Sequence, residues 1–211
     1  MKRKLLKFSG PFIKVQYLED VTDYDIKTRT ILLNIGENPV LIAGKALKPW
    51  HSSIFANTTV PKAQKLVSIT IKPDYISQKS FKYAAQAKKK WTRIYKLYPL
   101  QKFKNTNLWR SDTDKAGRFI FYLWFASAGT DCRIHKHPND FKEIHTQIFG
   151  VGRMQKFHEN KQSSIYQEVF MSPGYTHEPF YNAKGKYPWH AYYADTDCIW
   201  LAIEGAPSRV S

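Results

Sequence analysis

The sequence predicts a mainly β protein built as a sandwich or barrel. Hydrophobic residues make up 43% of the 211-residue chain and aromatic residues 15%, a composition typical of an ordered globular protein. Short runs of β-branched and aromatic residues recur between turn-forming residues, and a single stretch has the period of a helix. The length suffices for one sizeable core with an extension.

The first half of the chain contains the earliest of these runs. Turn-forming segments at residues 36–39 and 72–74 separate them. The predicted strands here are Phe12–Tyr17, Thr28–Ile35, Val40–Ile42, Ile54–Ala56 and Leu66–Ile71.

One long helix is predicted over residues 77–98. Phe81, Trp91 and Tyr95 fall near one helical face, several Lys and Arg residues lie elsewhere, and Pro99 ends the pattern. This spacing suits a helix that packs on the outside of a sheet. The polar segment that follows, Gln101–Arg118, is interpreted as a connecting loop.

The strand pattern resumes in the second half. The predicted strands are Phe119–Ala126, Arg133–His137, Glu143–Phe149, Arg153–Phe157, Ile165–Met171, His177–Tyr181, His190–Tyr193 and Cys198–Ile203. We therefore divide the chain into a basic β-rich extension with its helix (residues 1–110), a barrel core (residues 111–205) and a tail (residues 206–211).

The net charge of +16 lies entirely in the N-terminal half. Residues 1–110 hold 22 Lys and Arg against 6 Asp and Glu, whereas the later residues cancel. The basic half could contact a polyanion such as nucleic acid. Because most of these charges are scattered lysines, a solvated surface is the favoured interpretation.

Several classes of protein are disfavoured by absent patterns. No run approaches the roughly 18 apolar residues of a membrane span, so we expect a soluble, cytoplasmic protein without a membrane partner. Cys132 and Cys198 are the only cysteines, too few for a disulfide framework. No glycine-rich phosphate loop and no serine-nucleophile motif occurs.

Residues 129–150 (GTDCRIHKHPNDFKEIHTQIFG) carry the strongest functional signal. On a strand, His135 and His137 point to the same face, as two ligands of one metal must. Glu143, His145 and Gln147 likewise share a face of the next strand. A second signal, SPGYTH at residues 172–177, places a histidine after a Pro-Gly turn. Three imidazoles and a carboxylate are a suitable ligand set for a divalent transition metal.

These residues resemble the first motif of the cupin superfamily, G-x5-H-x-H-x3,4-E-x6-G. Gly129, His135, His137, Glu143 and Gly150 match it, with one extra residue between the second histidine and the glutamate.

The second cupin motif, G-x5-P-x-G-x2-H-x3-N, is matched more loosely. Gly174 and His177 keep its spacing, whereas Pro173 directly precedes the glycine and Asn182 lies one position late. The resemblance spans residues 119–204 and implies a jelly-roll barrel with a metal inside, held by His135, His137, Glu143 and His177. Whether Glu143, His145 or Gln147 supplies the third-strand ligand stays open.

Other residues of the same region are candidates for chemistry or for substrate binding. Glu143 and His145 could move protons. Arg133 falls in phase with the histidine pair and could hold a substrate carboxylate. Gln147, His190 and Tyr192 could line the same cavity, the last two because they share a face of a late strand.

The sequence favours a metal-dependent cupin enzyme acting on a small polar molecule that could carry a carboxylate. Cupin resemblance gives a slight preference for an Fe(II) dioxygenase, with Zn, Mn or Ni as the other metals. A metal-assisted lyase or isomerase is the first alternative. A non-catalytic ligand-binding or nucleic-acid-binding protein is the second, and a homodimer stays an open option.

Overall fold

Strands dominate the chain, as the sequence predicts. The computed structural model describes residues 1–72, 86–137, 142–180 and 187–205. The strands are β1 (Lys2–Leu5), β2 (Ile13–Ile26), β3 (Thr30–Asn34), β4 (Val40–Ile42), β5 (Lys45–Leu47), β6 (Ser52–Phe55), β7 (Thr58–Ile71), β8 (Thr92–Arg93), β9 (Leu108–Arg110), β10 (Asp114–Ala116), β11 (Phe119–Ala126), β12 (Thr130–Asp131), β13 (Lys142–Phe149), β14 (Gly152–Phe157), β15 (Ile165–Met171), β16 (Trp189–Ala194) and β17 (Cys198–Gly205).

Helical segments in the described ranges are short. Residues 86–90 are helical, Ile94–Leu97 forms one α-turn, and Gln101–Phe103 and Gln162–Ser164 form 3-10 turns. A membrane-crossing helix, long and apolar enough to span a bilayer, is not found among these residues.

The N-terminal strands form one antiparallel sheet in the order β1-β2-β7-β3-β6. The 14-residue strands β2 and β7 are its longest strands and pair along their whole length. Side chains alternate between two faces. Leu18, Leu32 and Leu66 pack on one face under the β4–β5 hairpin, whereas the opposite face packs on the C-terminal half.

The C-terminal half contains a six-stranded sheet that is buried on both faces. Its order is β13-β17-β11-β9-β8, with β10 attached to β11. Phe121 and Leu123 of β11, like Leu201 of β17, pack against the N-terminal sheet. The alternate residues, among them Trp200, point into the second core of the chain.

A four-stranded sheet, in the order β12-β16-β14-β15, closes that second core. Met154, Met171 and Tyr192 from this sheet pack with Cys198 and Trp200 from the six-stranded sheet. Two antiparallel sheets facing one another over a core form the jelly-roll barrel that the cupin resemblance implies.

The predicted helix over residues 77–98 is interrupted in its C-terminal part, where only Ile94–Leu97 is helical again. Residues 77–85 lie outside the described ranges, and the helical residues 86–90 end at Trp91. Thr92 and Arg93 then pair with β9 as a short strand, because backbone pairing with the barrel outweighs the local helical period. The predicted connecting loop, Gln101–Arg118, also contains β9 and β10, so strands that precede residue 111 belong to the barrel sheet.

Two further predicted strands are replaced by irregular backbone. Residues 133–137 make only an isolated bridge between His135 and His190, and Arg133 has a positive φ of 68°. Residues 177–180 extend from a single bridge between Thr146 and Thr176, and residue 181 lies outside the described part. The division of the chain at residues 110 and 205 stays a prediction.

A buried carboxylate joins the N-terminal lead to the barrel. Asp114 is 5% exposed, and its Oδ1 lies 2.8 Å from the Lys4 Nζ. The Lys7 backbone N–H donates to the Asp114 Oδ2 at 2.9 Å. Burial alone would raise the pKa of Asp114, but these hydrogen bonds hold it below the ordinary value of 3.8.

We expect Asp114→Asn to lower the free energy of unfolding by about 2 kcal/mol at pH 7, because it weakens charge-assisted hydrogen bonds to a buried group. Since the pKa of Asp114 is lowered in the folded state, its contribution is complete above the unfolded-state pKa and is lost as the pH falls through the folded-state pKa. Urea titrations from pH 7 to pH 2 measure this, with exposed Asp20→Asn as the control. A variant that is equally destabilised at pH 7 and pH 2 would contradict this account.

Candidate metal centre

Three imidazoles meet at one end of the C-terminal barrel. His135 and His190 exchange backbone hydrogen bonds of 2.9 Å in both directions, which brings their ring centroids to 4.2 Å. The His137 ring lies 5.2 Å from that of His135 and 5.3 Å from that of His190. One ring nitrogen from each of the three lies within 4.8 Å of the others.

Hydrogen bonds orient two of these rings for metal binding. The His135 Nδ1 lies 2.9 Å from the Arg133 carbonyl oxygen, and the His190 Nδ1 lies 3.3 Å from the Pro188 carbonyl oxygen. An Nδ1–H that donates to a carbonyl leaves the Nε2 lone pair available as a ligand. The Nε2 of His190 is buried and has no hydrogen-bond partner in the described part of the chain. The three-histidine set therefore fits a divalent transition metal.

Burial keeps two of these imidazoles in the neutral, metal-binding form. It lowers the pKa of His135 to about 4 and that of His190 well below its ordinary value. A protonated imidazole cannot ligate a metal. Both rings can therefore bind a metal at neutral pH without first losing a proton.

Glu143 lies beside the cluster as a buried, ionised carboxylate. Its Oε2 lies 3.2 Å from the His137 Nε2, and its Oε1 lies 3.1 Å from the His145 Nε2. The Tyr187 hydroxyl donates to the Glu143 Oε2 at 2.5 Å. Burial raises the pKa of Glu143, but the charge that His145 carries when it is protonated and the hydrogen bonds from His145 and His137 hold it well below its ordinary value.

The same interactions raise the pKa of His137. Burial opposes protonation of this ring, but its hydrogen bond to Glu143 and the charge of that carboxylate outweigh the effect. Glu143 therefore connects one ring of the cluster to His145, which is not in the cluster.

His177, which the cupin resemblance implies as the third imidazole, lies behind His145 rather than in the cluster. Its Nε2 accepts the His145 backbone N–H at 2.9 Å, and its Nδ1–H donates to the Glu178 carbonyl at 2.6 Å. Both ring nitrogens are therefore engaged. His190 lies in the cluster instead, because β16 runs beside the segment that carries His135. The sequence predicts His190 as a residue that lines the cavity and binds substrate, not as a metal ligand.

Arg133 and Gln147, which the sequence predicts as substrate contacts, are not among the residues that line the cavity. Arg133 is exposed, its guanidinium lies 3.4 Å from the Asp131 carboxylate, and its strand phase does not apply because the segment is not a strand. Gln147 is fully buried, accepts the Tyr192 hydroxyl at 2.8 Å and donates to the carbonyls of residues 149 and 150.

A cavity of about 570 Å³ opens onto the cluster. The predicted residues that line it are His135, His137, Glu143, His145, His190 and Tyr192. The lining also includes four residues that are not among the sequence-based candidates: Lys102, Lys136, Glu204 and Trp200. Strand parity could have found Trp200 and Glu204, because residues four apart on β17 point to the same face. Lys102 had no such signal, because it lies in the segment that was interpreted as a connecting loop.

No family model matches this chain, and no curated protein matches it. Among solved structures the chain is similar to an RmlC-like cupin from Desulfovibrio desulfuricans, at 14% identity over 44% of this chain and 78% of that chain, with a TM-score of 0.34. It is similar to ectoine synthase from P. lautus at 15% identity over 50% and 68%, with a TM-score of 0.37. It is also similar to KdgF from Halomonas sp. at 13% identity over 49% and 82%, with a TM-score of 0.36.

These solved structures thus include cupins, the superfamily that the sequence motifs resemble. A specific family is not distinguished among them.

We expect His190→Ala to reduce metal affinity by more than the roughly 10–100-fold that loss of an outer-shell partner costs, because it removes one of three ligands. Elemental analysis and competition with a chelator measure this, on protein purified without a nickel column. His158→Ala, an exposed histidine stacked on Tyr166, is the matched control.

His177→Ala distinguishes the two ligand sets. Folded protein of this variant should keep its metal, because both His177 ring nitrogens hydrogen-bond to the backbone. Loss of metal in His177→Ala with full retention in His190→Ala would show that the motif, and not the cluster, identifies the ligands.

Proposed function

We propose that this chain is a metal-dependent cupin enzyme that moves a proton on a small, carboxylate-bearing molecule. The observation that carries the proposal is the pairing, in one cavity, of a three-histidine cluster with a buried Glu143–His145 pair. His135, His137 and His190 would hold the metal. A divalent ion bound there supplies Lewis acidity that polarises a carbonyl or carboxylate oxygen.

The Glu143–His145 pair provides a base of its own. His145 lines the cavity, and its Nε2–H donates to the Glu143 Oε1. A carboxylate that accepts one N–H of an imidazole fixes its tautomer and stabilises the imidazolium that forms when the other nitrogen takes a proton. The His145 Nδ1 is buried and has no hydrogen-bond partner in the described ranges, so it is the atom that would take the proton.

Tyr187 supports the ionised state of this pair. Its hydroxyl donates to the Glu143 Oε2, the same oxygen that faces His137. With both oxygens engaged, Glu143 accepts hydrogen bonds and keeps its charge while His145 exchanges the proton. This division of roles favours lyase or isomerase chemistry for the site.

An Fe(II) dioxygenase is the second candidate. The all-imidazole ligand set supports it, since imidazole suits iron as well as zinc, copper and nickel. The two candidates differ in a measurable way, because a dioxygenase consumes dioxygen and a lyase or isomerase does not.

The test loads the full chain with Zn(II), Mn(II), Ni(II) or Fe(II) and offers a panel of 2-oxo acids in D2O without dioxygen. Proton NMR should show exchange of the C–H next to the carbonyl. Glu143→Gln and His145→Gln should each slow it by about 10²–10⁴-fold, the usual contribution of a positioned acid or base. Exposed Glu159→Gln is the matched control, and thermal unfolding confirms that each variant folds.

Three outcomes separate the candidate functions. Exchange without dioxygen that depends on Glu143 supports proton chemistry. Dioxygen uptake that occurs with Fe(II) and with none of the other metals, measured with an oxygen electrode, would favour the dioxygenase over proton chemistry. Neither activity in metal-loaded protein would contradict both and leave the non-catalytic binding module, whose contact with a polyanion through residues 1–110 is the remaining prediction.

A further inference from the structure

One wall of the cavity comes from outside the strands that carry the histidines. Ile94, Phe103 and Leu108 are 3%, 8% and 4% exposed and pack into the core of the barrel. Tyr98 and Leu100 also line the cavity but are 45% and 52% exposed. The segment 94–108 is therefore anchored at three points and presents two apolar side chains at the mouth.

Another part of the cavity lining is aromatic. The Trp200 ring is stacked on Tyr192 with centroids 4.2 Å apart and on Trp124 at 6.4 Å. Tyr122 meets Trp124 edge to face, with the ring centroids 5.8 Å apart. All four residues line the cavity. Stacked rings are held in place by their neighbours, so this wall offers a rigid apolar surface to a planar or branched group.

Positive charge lies next to the metal cluster. Lys102 and Lys136 both line the cavity, and Lys136 sits in sequence between two of the clustered histidines. The Glu204 carboxylate of the same cavity accepts the Tyr122 hydroxyl at 2.5 Å.

We propose that the cavity selects a carboxylic acid with an aromatic or branched apolar body. The carboxylate would lie by Lys102 at the metal end, and the apolar body would lie between segment 94–108 and the aromatic wall. A volume of about 570 Å³ accommodates such a molecule. The inference rests on the proposed function for its metal end and replaces the small polar substrate of the sequence prediction with an amphipathic one.

Titration calorimetry of the zinc-loaded full chain with three probes tests this inference. The probes are 3-phenylpropionate, propionate, which lacks the ring, and 3-phenylpropan-1-ol, which lacks the charge. We expect 3-phenylpropionate to bind at least about 10-fold more tightly than either, because each of the others loses one of the two contacts.

Two surface variants assign the contacts. Leu100→Ser should weaken 3-phenylpropionate about 5-fold and leave propionate unchanged, since about half of this side chain is already exposed. Lys102→Gln should weaken both acids about 5-fold and leave the alcohol unchanged. Leu41→Ser, which is 61% exposed on the β4–β5 hairpin, and Lys104→Gln, exposed and outside the cavity lining, are the matched controls.

Equal affinity for the three probes, or the same affinity in Leu100→Ser and Lys102→Gln as in their controls, would overturn the inference. Calorimetry separates this result from a failure of the proposed function because binding needs no turnover. Selective binding without proton exchange or dioxygen uptake would support the amphipathic ligand and contradict the proposed enzymatic function. Turnover of short polar acids without selectivity would support the proposed enzymatic function and contradict the amphipathic ligand.

Discussion

The arrangement of this protein depends on a sheet that is buried on both faces. Along β11, β13 and β17, one set of alternate side chains packs against the N-terminal sheet and the other faces the barrel interior. Ile144 and Ile148 of β13 pack toward the N-terminal sheet, which leaves Glu143 and His145 on the barrel side of the strand. The strand period thus assigns hydrophobic anchoring to one face and chemistry to the other.

The N-terminal sheet also contacts the turn that follows β15. The Ser52 hydroxyl donates to the Gly174 carbonyl at 2.8 Å, and its oxygen lies 2.5 Å from the Thr176 Oγ1. Gly174 has a φ of 89°, and a Cβ there would lie 2.6 Å from the Ile54 side chain. Only glycine suits this position. The extension therefore holds the turn that places His177 behind His145.

A buried carboxylate organises the electrostatics of the interior. Glu143 would be costly to bury alone, and its two oxygens are matched by His137, His145 and Tyr187. The other clustered rings stay neutral because burial outweighs its attraction. One side of the cavity can therefore hold a cation while the other exchanges a proton, which is the physical basis of the function proposed for the site.

The sequence alone predicts the β architecture and the inner face of β13, because both depend on a two-residue period that is local. It also brought His135 and His137 together, since residues two apart stay close even without a regular strand. Only the tertiary structure shows that His190 and not His177 lies in the three-histidine cluster, that Arg133 is exposed beside Asp131, and that segment 94–108 lines the cavity. Each of these outcomes depends on contacts between residues far apart in sequence, for which the spacing of residues along the chain contains no signal.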